Sequence, residues 1–313
     1  MFKVTILSLL LAVVVVPCQA SVFLGCFNTT VQKQFMKKTS LQNCATICTV
    51  AKYPLTIYQK TSASCFCGNI IPSKENQIAC TCCSTSVYYN DISNGKQCKI
   101  SDMAFSDTNF EIPWGRERVT LGNIDMNIKM MPYSCDGGRM NTKSAFRYGM
   151  FSVDMLIDGS RGLTSAFYLK SSKRDINVGD DEIDIEFING RPAKTSGALW
   201  LNDFYHGKSQ KISMFETNSM RNLTRVPTFS TLTAYHTYTI FWQPNFIRWY
   251  VDGHFIDQKT GTVPNLFQFP TFSFWSYGPK KSGVGTPWGG WCDTNVNRIR
   301  KLSAKNFRYI TCQ

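Results

Sequence analysis

The sequence predicts a mostly β protein: a large domain of many short strands, a sandwich or a barrel, preceded by a small module stapled by disulfides. Three observations predict it. Beyond residue 100, apolar residues alternate with polar ones at the two-residue period of half-buried strands. No window of helical length there keeps a helical period. The cysteines also divide unevenly: Cys26, Cys44, Cys48, Cys65, Cys67, Cys80, Cys82 and Cys83 crowd one short stretch, while Cys98, Cys135, Cys292 and Cys312 are spread over the rest. A segment as short as the first has little core of its own, so bridges must hold it. Length and composition agree. The chain has 313 residues, enough for one large and one small domain, and its 13% aromatic share is too high for a disordered chain. With 18% charged residues it is no coiled coil or charge-rich tail, and its net charge of +13 admits an anionic partner or surface.

Met1 to Ala20 reads as a secretory signal. Lys3 gives the positive start, Ile6 to Val16 the apolar run, and Pro17 with Cys18-Gln19-Ala20 the cleavage region. The run is too short for an ordinary membrane span, and the alternative is a short anchor. No later stretch is apolar enough to cross a bilayer, so a soluble, secreted protein is expected. Cleavage removes one of the 13 cysteines and leaves an even number. An oxidising compartment favours disulfides over zinc sites. Asn28-Thr29-Thr30 and Asn222-Leu223-Thr224 are then candidate glycan acceptors. Export argues against nucleic acid as a partner; the positive charge suits an anionic wall or matrix.

In the module, Leu41, Cys44, Ile47, Cys48 and Ala51 recur at helical spacing after Thr39-Ser40, an N-cap signal. Cys65-Phe66-Cys67-Gly68-Asn69 reads as a tight extended segment. Residues 91–99, with Asn94-Gly95 in Asp91 to Lys96, form the expected linker. The large domain, residues 100–313, follows. Ile124, Met126, Ile128 and Met130 alternate with polar residues, as do Phe151, Val153, Met155 and Ile157, and then Tyr238, Ile240 and Trp242. Ile247 to Val251 runs into Asp252-Gly253, a two-residue hairpin signal, and on to His254-Phe255-Ile256. Trp242 and Trp249 fall on the alternating apolar face and are read as core. His206, His236 and His254 have no metal-ligand spacing and are read as structural or surface residues.

The segment Asp181-Glu182-Ile183-Asp184-Ile185-Glu186-Phe187 carries the chemistry. In a strand, Glu182, Asp184 and Glu186 share one face while Ile183, Ile185 and Phe187 enter the core. Three acids in a row repel one another, and a merely soluble face would mix Thr, Lys and Ser there. Such a row supplies what glycosidic cleavage with retention needs: an attacking carboxylate and a protonated carboxyl, about 5–5.5 Å apart. Glu182 and Glu186 are about 13 Å apart along the backbone at strand rise, so their long side chains must lean together. Asp184 between them can hydrogen-bond one glutamate and raise the other's pKa by repulsion. A solvent face, a calcium site or a patch for a basic partner are the other readings of the same row.

Two resemblances follow from these motifs. Leu24-Gly25-Cys26-Phe27, Cys44-x-x-x-Cys48 on a helix and Cys65-Phe66-Cys67-Gly68-Asn69 are similar to the WSC domain, linked to carbohydrate binding at cell walls. The match covers roughly residues 22–90 and departs at Cys80-Thr81-Cys82-Cys83, which is compressed and lacks the later Cys-Gly-Gly.

The large domain resembles glycoside hydrolase family 16, the branch with Glu-x-Asp-x-Glu on an unbulged strand that includes lichenases, xyloglucan transglycosylases and chitin–glucan crosslinkers. Glu182 to Phe187, Cys135-x-x-x-Arg139 before Tyr148-Gly149, Asn202 followed by Gly207, His236 to Gly253 and Phe274-Trp275 carry it. The resemblance implies a β-jelly-roll sandwich of two curved antiparallel sheets. It makes Glu182 the nucleophile, Glu186 the general acid and then base, and Asp184 the assisting acid. Trp275 would stack on a sugar ring, and Asn202 and Arg139 would bond sugar hydroxyls. The implied substrate is a wall polysaccharide: β-glucan, xyloglucan or chitin–glucan. The implied activity is that of a retaining endo-β-glycosidase, with a transglycosylase or a non-catalytic polysaccharide-binding wall protein as the alternatives. The protein is read as a monomer with no cofactor beyond a possible structural calcium. Some positions depart from lichenases: Gly137 replaces a cleft glutamate, Asp180 a tryptophan, Ser273 a polar amide, and Asn306 an aspartate of their structural calcium site. Trp288-Gly289-Gly290-Trp291 is similar to the crosslinking enzymes. Cys135 stands near a lichenase disulfide cysteine whose partner position here lies near Ile112-Pro113. Four cysteines allow three pairings, and Cys98 is taken as the substitute partner, leaving Cys292 with Cys312.

Overall fold

The computed structural model describes residues 22–27, 34–36, 40–59, 62–72, 77–78, 85–89, 98–172, 179–189, 198–216, 234–281 and 289–312. The expected signal, Asn28, Asn222, Cys80, Cys82, Cys83, Trp288 and linker residues 91–97 lie outside the described residues.

The N-terminal unit contains β1 (Val22–Phe27), β2 (Gln34–Met36), α1 (Leu41–Val50), β3 (Leu55–Gln59), β4 (Ser64–Gly68), β5 (Gln77–Ile78) and β6 (Thr85–Tyr89). The strands form one sheet in the order β2-β4-β3-β6-β1-β5. The helix starts where the sequence puts it: the Ser40 hydroxyl accepts the Asn43 N–H at 3.2 Å, satisfying one of the first-turn donors. Cys44 and Cys48 share a helix face at a spacing of four, and Cys65 and Cys67 share a strand face at a spacing of two. The two periods meet in the bridges Cys44–Cys65 and Cys48–Cys67.

The larger unit is a jelly roll of two antiparallel sheets. The back sheet runs β19 (His254–Thr260), β18 (Phe246–Val251), β17 (His236–Gln243), β12 (Gly149–Leu156), β21 (Arg300–Cys312), β10 (Asp125–Met130), β9 (Val119–Leu121), with β7 (Cys98–Asp102) also on β21. The front sheet runs β16 (Lys208–Glu216), β15 (Ala198–Tyr205), β14 (Glu182–Asn189), β13 (Leu163–Lys170), β20 (Phe269–Ser276), β11 (Gly138–Thr142), β8 (Phe110–Trp114). The core between them is filled by the alternating residues read from the sequence: Phe151, Val153, Met155 and Ile157, then Tyr238, Ile240 and Trp242, with Trp249, Ile183, Ile185 and Phe187. The hairpin signal at Asp252-Gly253 is a true turn; both residues have positive φ, 48° and 72°, as a two-residue loop with right-handed twist requires.

Three expectations are corrected. Cys98 pairs with Cys312 and Cys135 with Cys292, not Cys98 with Cys135. The cause is register: β7 lies antiparallel to β21 with Cys98 directly opposite Cys312. For the same reason Cys98 and Lys99, assigned to the linker, belong to the back sheet. Ile124 is exposed rather than inward, because Asn123 has φ of 63° and the strand begins only at Asp125.

The N-terminal unit packs on the outer face of the back sheet. Leu55, Ile57 and Ile71 form one buried cluster with Ile100, Met150, Phe241, Phe246, Tyr250 and Ile310. The Tyr250 hydroxyl donates to Lys52 O at 2.6 Å, Arg308 Nη1 to Ile71 O at 3.1 Å, and Asn69 Nδ2 to Gly253 O. Among the described residues, these contacts of the module all fall on the back sheet.

Candidate active site

Directly opposed residues of an antiparallel sheet share a face, so register assembles the site in rungs across the front sheet. One rung is Phe204, Glu182, Lys170, Phe269. The next is Asn202, Asp184, Tyr168, Thr271, Asn141. The third is Trp200, Glu186, Ala166, Ser273, Arg139, Trp114. The fourth carries Ile188, Thr164 and Trp275. All six residues that the sequence singled out for chemistry or substrate contact therefore stand on the face opposite the core. Glu182, Glu186, Arg139, Asn202 and Trp275 are partly exposed there, and Asp184 is buried between the glutamates.

The strand is held at its head by Asp181, a fully buried residue that sequence reading passed over. Its Oδ1 accepts the His206 N–H at 2.9 Å, and its Oδ2 accepts the Asn265 and Leu266 N–H groups at 2.6 and 2.9 Å. One carboxylate thus ties the β15–β16 turn and the segment before β20 to the residue preceding Glu182. Its odd position in the run was the available signal: it lies on the core side of the alternation, where an acid must be fully bonded.

The electrostatics separate the three acids. Burial pushes the Asp184 carboxyl well above the usual range, and the charges of Glu182 and Glu186 push it further. Burial, then the charge of Glu182, pushes Glu186 up to about 8. Burial also raises Glu182, but the Lys170 ammonium and a hydrogen bond from Asp184 oppose it. Protons therefore gather on Asp184 and Glu186 and the negative charge on Glu182, the division that an acid and a nucleophile need. Lys170 Nζ stands 3.6 Å from Glu182 Oε2, both side chains being nearly buried. Tyr168 lies beside Asp184; burial first, then the Glu182 charge, raises its phenol above the usual range. Sequence reading missed both Tyr168 and Lys170, whose only signal was their register opposite the acids.

The proposed sugar contacts differ in their surroundings. Asn202 Oδ1 accepts the Asp203 N–H at 2.9 Å and the Ser209 hydroxyl at 3.0 Å. Trp275 stays out of the core and meets Tyr277 edge to face, centroids 4.9 Å apart. The Cys135–Cys292 bridge and the Ser276 hydroxyl, which donates to Cys135 O at 2.8 Å, fasten the strap before Arg139 to the end of β20. At the position that resembles a calcium ligand, Asn306 Nδ2 donates to Asp154 Oδ2 at 2.7 Å, and the Thr237 hydroxyl donates to Asp154 Oδ1. Protein donors satisfy that carboxylate, so this set fits a calcium ion poorly. His236 Nδ1 lies 2.6 Å from Asp252 Oδ2, and the His206 ring stacks edge-on against Tyr205.

A carboxylate row on the outer face of one sheet of a two-sheet jelly roll holds the kinds of group that glycosidic cleavage requires. The family model for Glycosyl hydrolases family 16 matches residues 106–277, more than half of the chain, and the chain belongs to that family. Members of the family are glycoside hydrolases or transglycosylases. The chain is 32% identical over 149 residues to "Xyloglucan endotransglucosylase/hydrolase protein 2" of Arabidopsis thaliana, covering 47% of this chain and 46% of that one. It is 30% identical over 159 residues to "Beta-glucanase" of Bacillus licheniformis, covering 50% and 59%. The chain spans less than two thirds of the length of relatives such as these, 14% of a Ruminococcus flavefaciens "Xylanase/beta-glucanase" and 60% of a Bacillus subtilis "Beta-glucanase". Among solved structures, a lichenase from a mouse hindgut metagenome superposes with a TM-score of 0.51 at 20% identity, covering 67% of this chain and 98% of that one. The Crh5 transglycosylase gives 0.52 at 19% identity, covering 68% and 83%.

Proposed function

We propose that this protein is a secreted retaining endo-β-glycosidase that cleaves β-glucan-type wall polysaccharide. The observation that carries the reading is the row Glu182, Asp184, Glu186 on one outer sheet face, with Lys170 Nζ 3.6 Å from Glu182 Oε2. Glu182 attacks the anomeric carbon as the glycosidic C–O bond breaks, and the Glu186 proton goes to the leaving oxygen. Asp184 donates a hydrogen bond to Glu182 and keeps it aligned. In the second half, the Glu186 carboxylate takes a proton from water, whose oxygen attacks the same carbon and releases Glu182. Trp275 is the stacking surface for a ring; Arg139 and Asn202 bond hydroxyls, Asn202 through its Nδ2 because its oxygen is engaged in its own hairpin.

The similarity to the Arabidopsis endotransglucosylase/hydrolase supports a second outcome, in which a sugar hydroxyl replaces water and the product is a lengthened chain. The disulfides support export through an oxidising compartment, with glycans at Asn28 and Asn222. The N-terminal unit, WSC-like in sequence, would offer a second sugar contact on the side of the molecule away from the acids.

The test is Glu182→Gln assayed against barley β-glucan, laminarin, xyloglucan and chitin with a labelled oligosaccharide acceptor present. The parent is expected to act on at least one substrate, and the variant to lose at least about a thousandfold in rate, since the covalent route has gone. Equal rates in parent and variant, or no activity in either, sink the reading. Lengthened acceptor products identify transfer, and their absence at high acceptor identifies hydrolysis.

A further inference from the structure

Lysine is almost never fully buried unless it is paired. Lys170, the last residue of β13, is 4% exposed and stands on the acid-bearing face of the front sheet. It lies directly opposite Glu182 on β14, with Phe269 of β20 on its other side. Its Nζ is 3.6 Å from Glu182 Oε2, and among the described residues that oxygen accepts no hydrogen bond. The ammonium is therefore its charged neighbour at contact distance. The other groups that act on Glu182 are mostly acids. Asp184 and Glu186 lie along its own strand, and Asp180 lies just before it. Tyr168 of β13 stands one rung away, and Arg139 of β11 acts on that tyrosine. On β15, Phe204 is directly opposite Glu182 and brings no charge.

Burial, with the nearby charge of Asp180, favours a protonated glutamate at this position, and a protonated glutamate cannot attack. We propose that Lys170 is a positioning residue that holds Glu182 in its ionised form and fixes the orientation of its carboxylate beneath the sugar. The proposal rests on the glycosidase reading, in which Glu182 is the nucleophile, and it assigns a role to a residue outside the acidic motif. When Glu182 departs from the anomeric carbon in the second half-reaction, the waiting ammonium stabilises the returning carboxylate. The direction of the electrostatics agrees, since the Lys170 charge opposes the upward push of burial on Glu182.

Lys170→Met and Lys170→Arg test this, with Lys170→Gln added if the methionine variant does not fold, folding being checked by circular dichroism. The acid limb of the pH profile of kcat/KM should move up by about one unit in Lys170→Met, about tenfold less activity well below the limb. Lys170→Arg should keep the limb near that of the parent. Independently of activity, carboxyl 13C NMR of glutamate-labelled protein should show the Glu182 signal, assigned by its loss in Glu182→Gln, titrating at higher pH in Lys170→Met than in the parent. An unmoved Glu182 titration in the methionine variant overturns the proposal. A parent inactive on every substrate overturns the glycosidase reading instead, and the titration still decides whether Lys170 holds Glu182 ionised.

Discussion

Glu182, Asp184 and Glu186 are chemically similar groups, yet their neighbours give them different protons. Glu182 meets an ammonium, Asp184 is enclosed by two acids, and Glu186 is largely but not fully enclosed with the Glu182 charge nearby. In the proposed mechanism Glu182 attacks as a carboxylate, so activity should fall as pH drops and Glu182 takes up a proton. In the same proposal Glu186 acts as a protonated acid, so activity should fall as pH rises through its value near 8. A bell-shaped profile of kcat/KM with its alkaline limb near that value is expected, both limbs being properties of the coupled acids. Glu186→Gln should lower kcat by about 10²–10⁴-fold. It should also change stability in a set direction. A carboxyl raised in the folded state stabilises the fold fully below its ordinary range, and that contribution fades as pH climbs toward 8. The neutral amide escapes this, so Glu186→Gln should melt about 2–4 °C above the parent at pH 8.5 and show no such gain at pH 4. Thermal melts at the two pH values measure it.

At the scale of the element, β14 works because its register is pinned from outside the strand. Asp181 holds three backbone N–H groups from two segments that flank the Glu182 end. Asp181→Ala leaves those buried donors unmatched, at about 3 kcal/mol by the usual worth of charged hydrogen bonds. Urea unfolding should read that loss. The kcat of the folded variant should also fall, since Glu182 is the next residue and small displacements weigh heavily on a reacting group. Parent-like stability in Asp181→Ala would remove Asp181 from this role. Much of the element level was legible in the chain. The alternation of acids with Ile183, Ile185 and Phe187 gave the two faces of β14, and Ser40 gave the start of α1. The cross-strand partners were not legible, because register depends on how distant segments meet. Lys170 lies twelve positions before Glu182, and Cys98 and Cys312 are 214 residues apart.

Across the whole molecule, the two faces of the jelly roll have different tasks. The outer face of the front sheet carries the acids, while the outer face of the back sheet is covered by the N-terminal unit through Leu55, Ile57 and Ile71. The module is thus packed structure rather than a loosely tethered arm. Leu55→Ala should cost about 2–5 kcal/mol, as a fully buried leucine does when cut to alanine. Calorimetry should record the lowered Tm, and kcat/KM at a permissive temperature should stay at the parent's level because the change lies behind the back sheet. A drop in kcat/KM without a drop in Tm would mean that the two faces are coupled.

Local pattern by itself determined the β class, the split into a cysteine-dense module and a larger unit, the inward face of each main strand, and the acidic row. These are written in periods of two to four residues, and side-chain direction follows from backbone geometry alone. Only the tertiary structure decided which cysteines bond, that Cys98 and Lys99 join the back sheet, where the module docks, and that Lys170, Tyr168 and Asp181 surround the acids. Those outcomes depend on strand order and register between segments far apart in sequence, where burial and charge act across space.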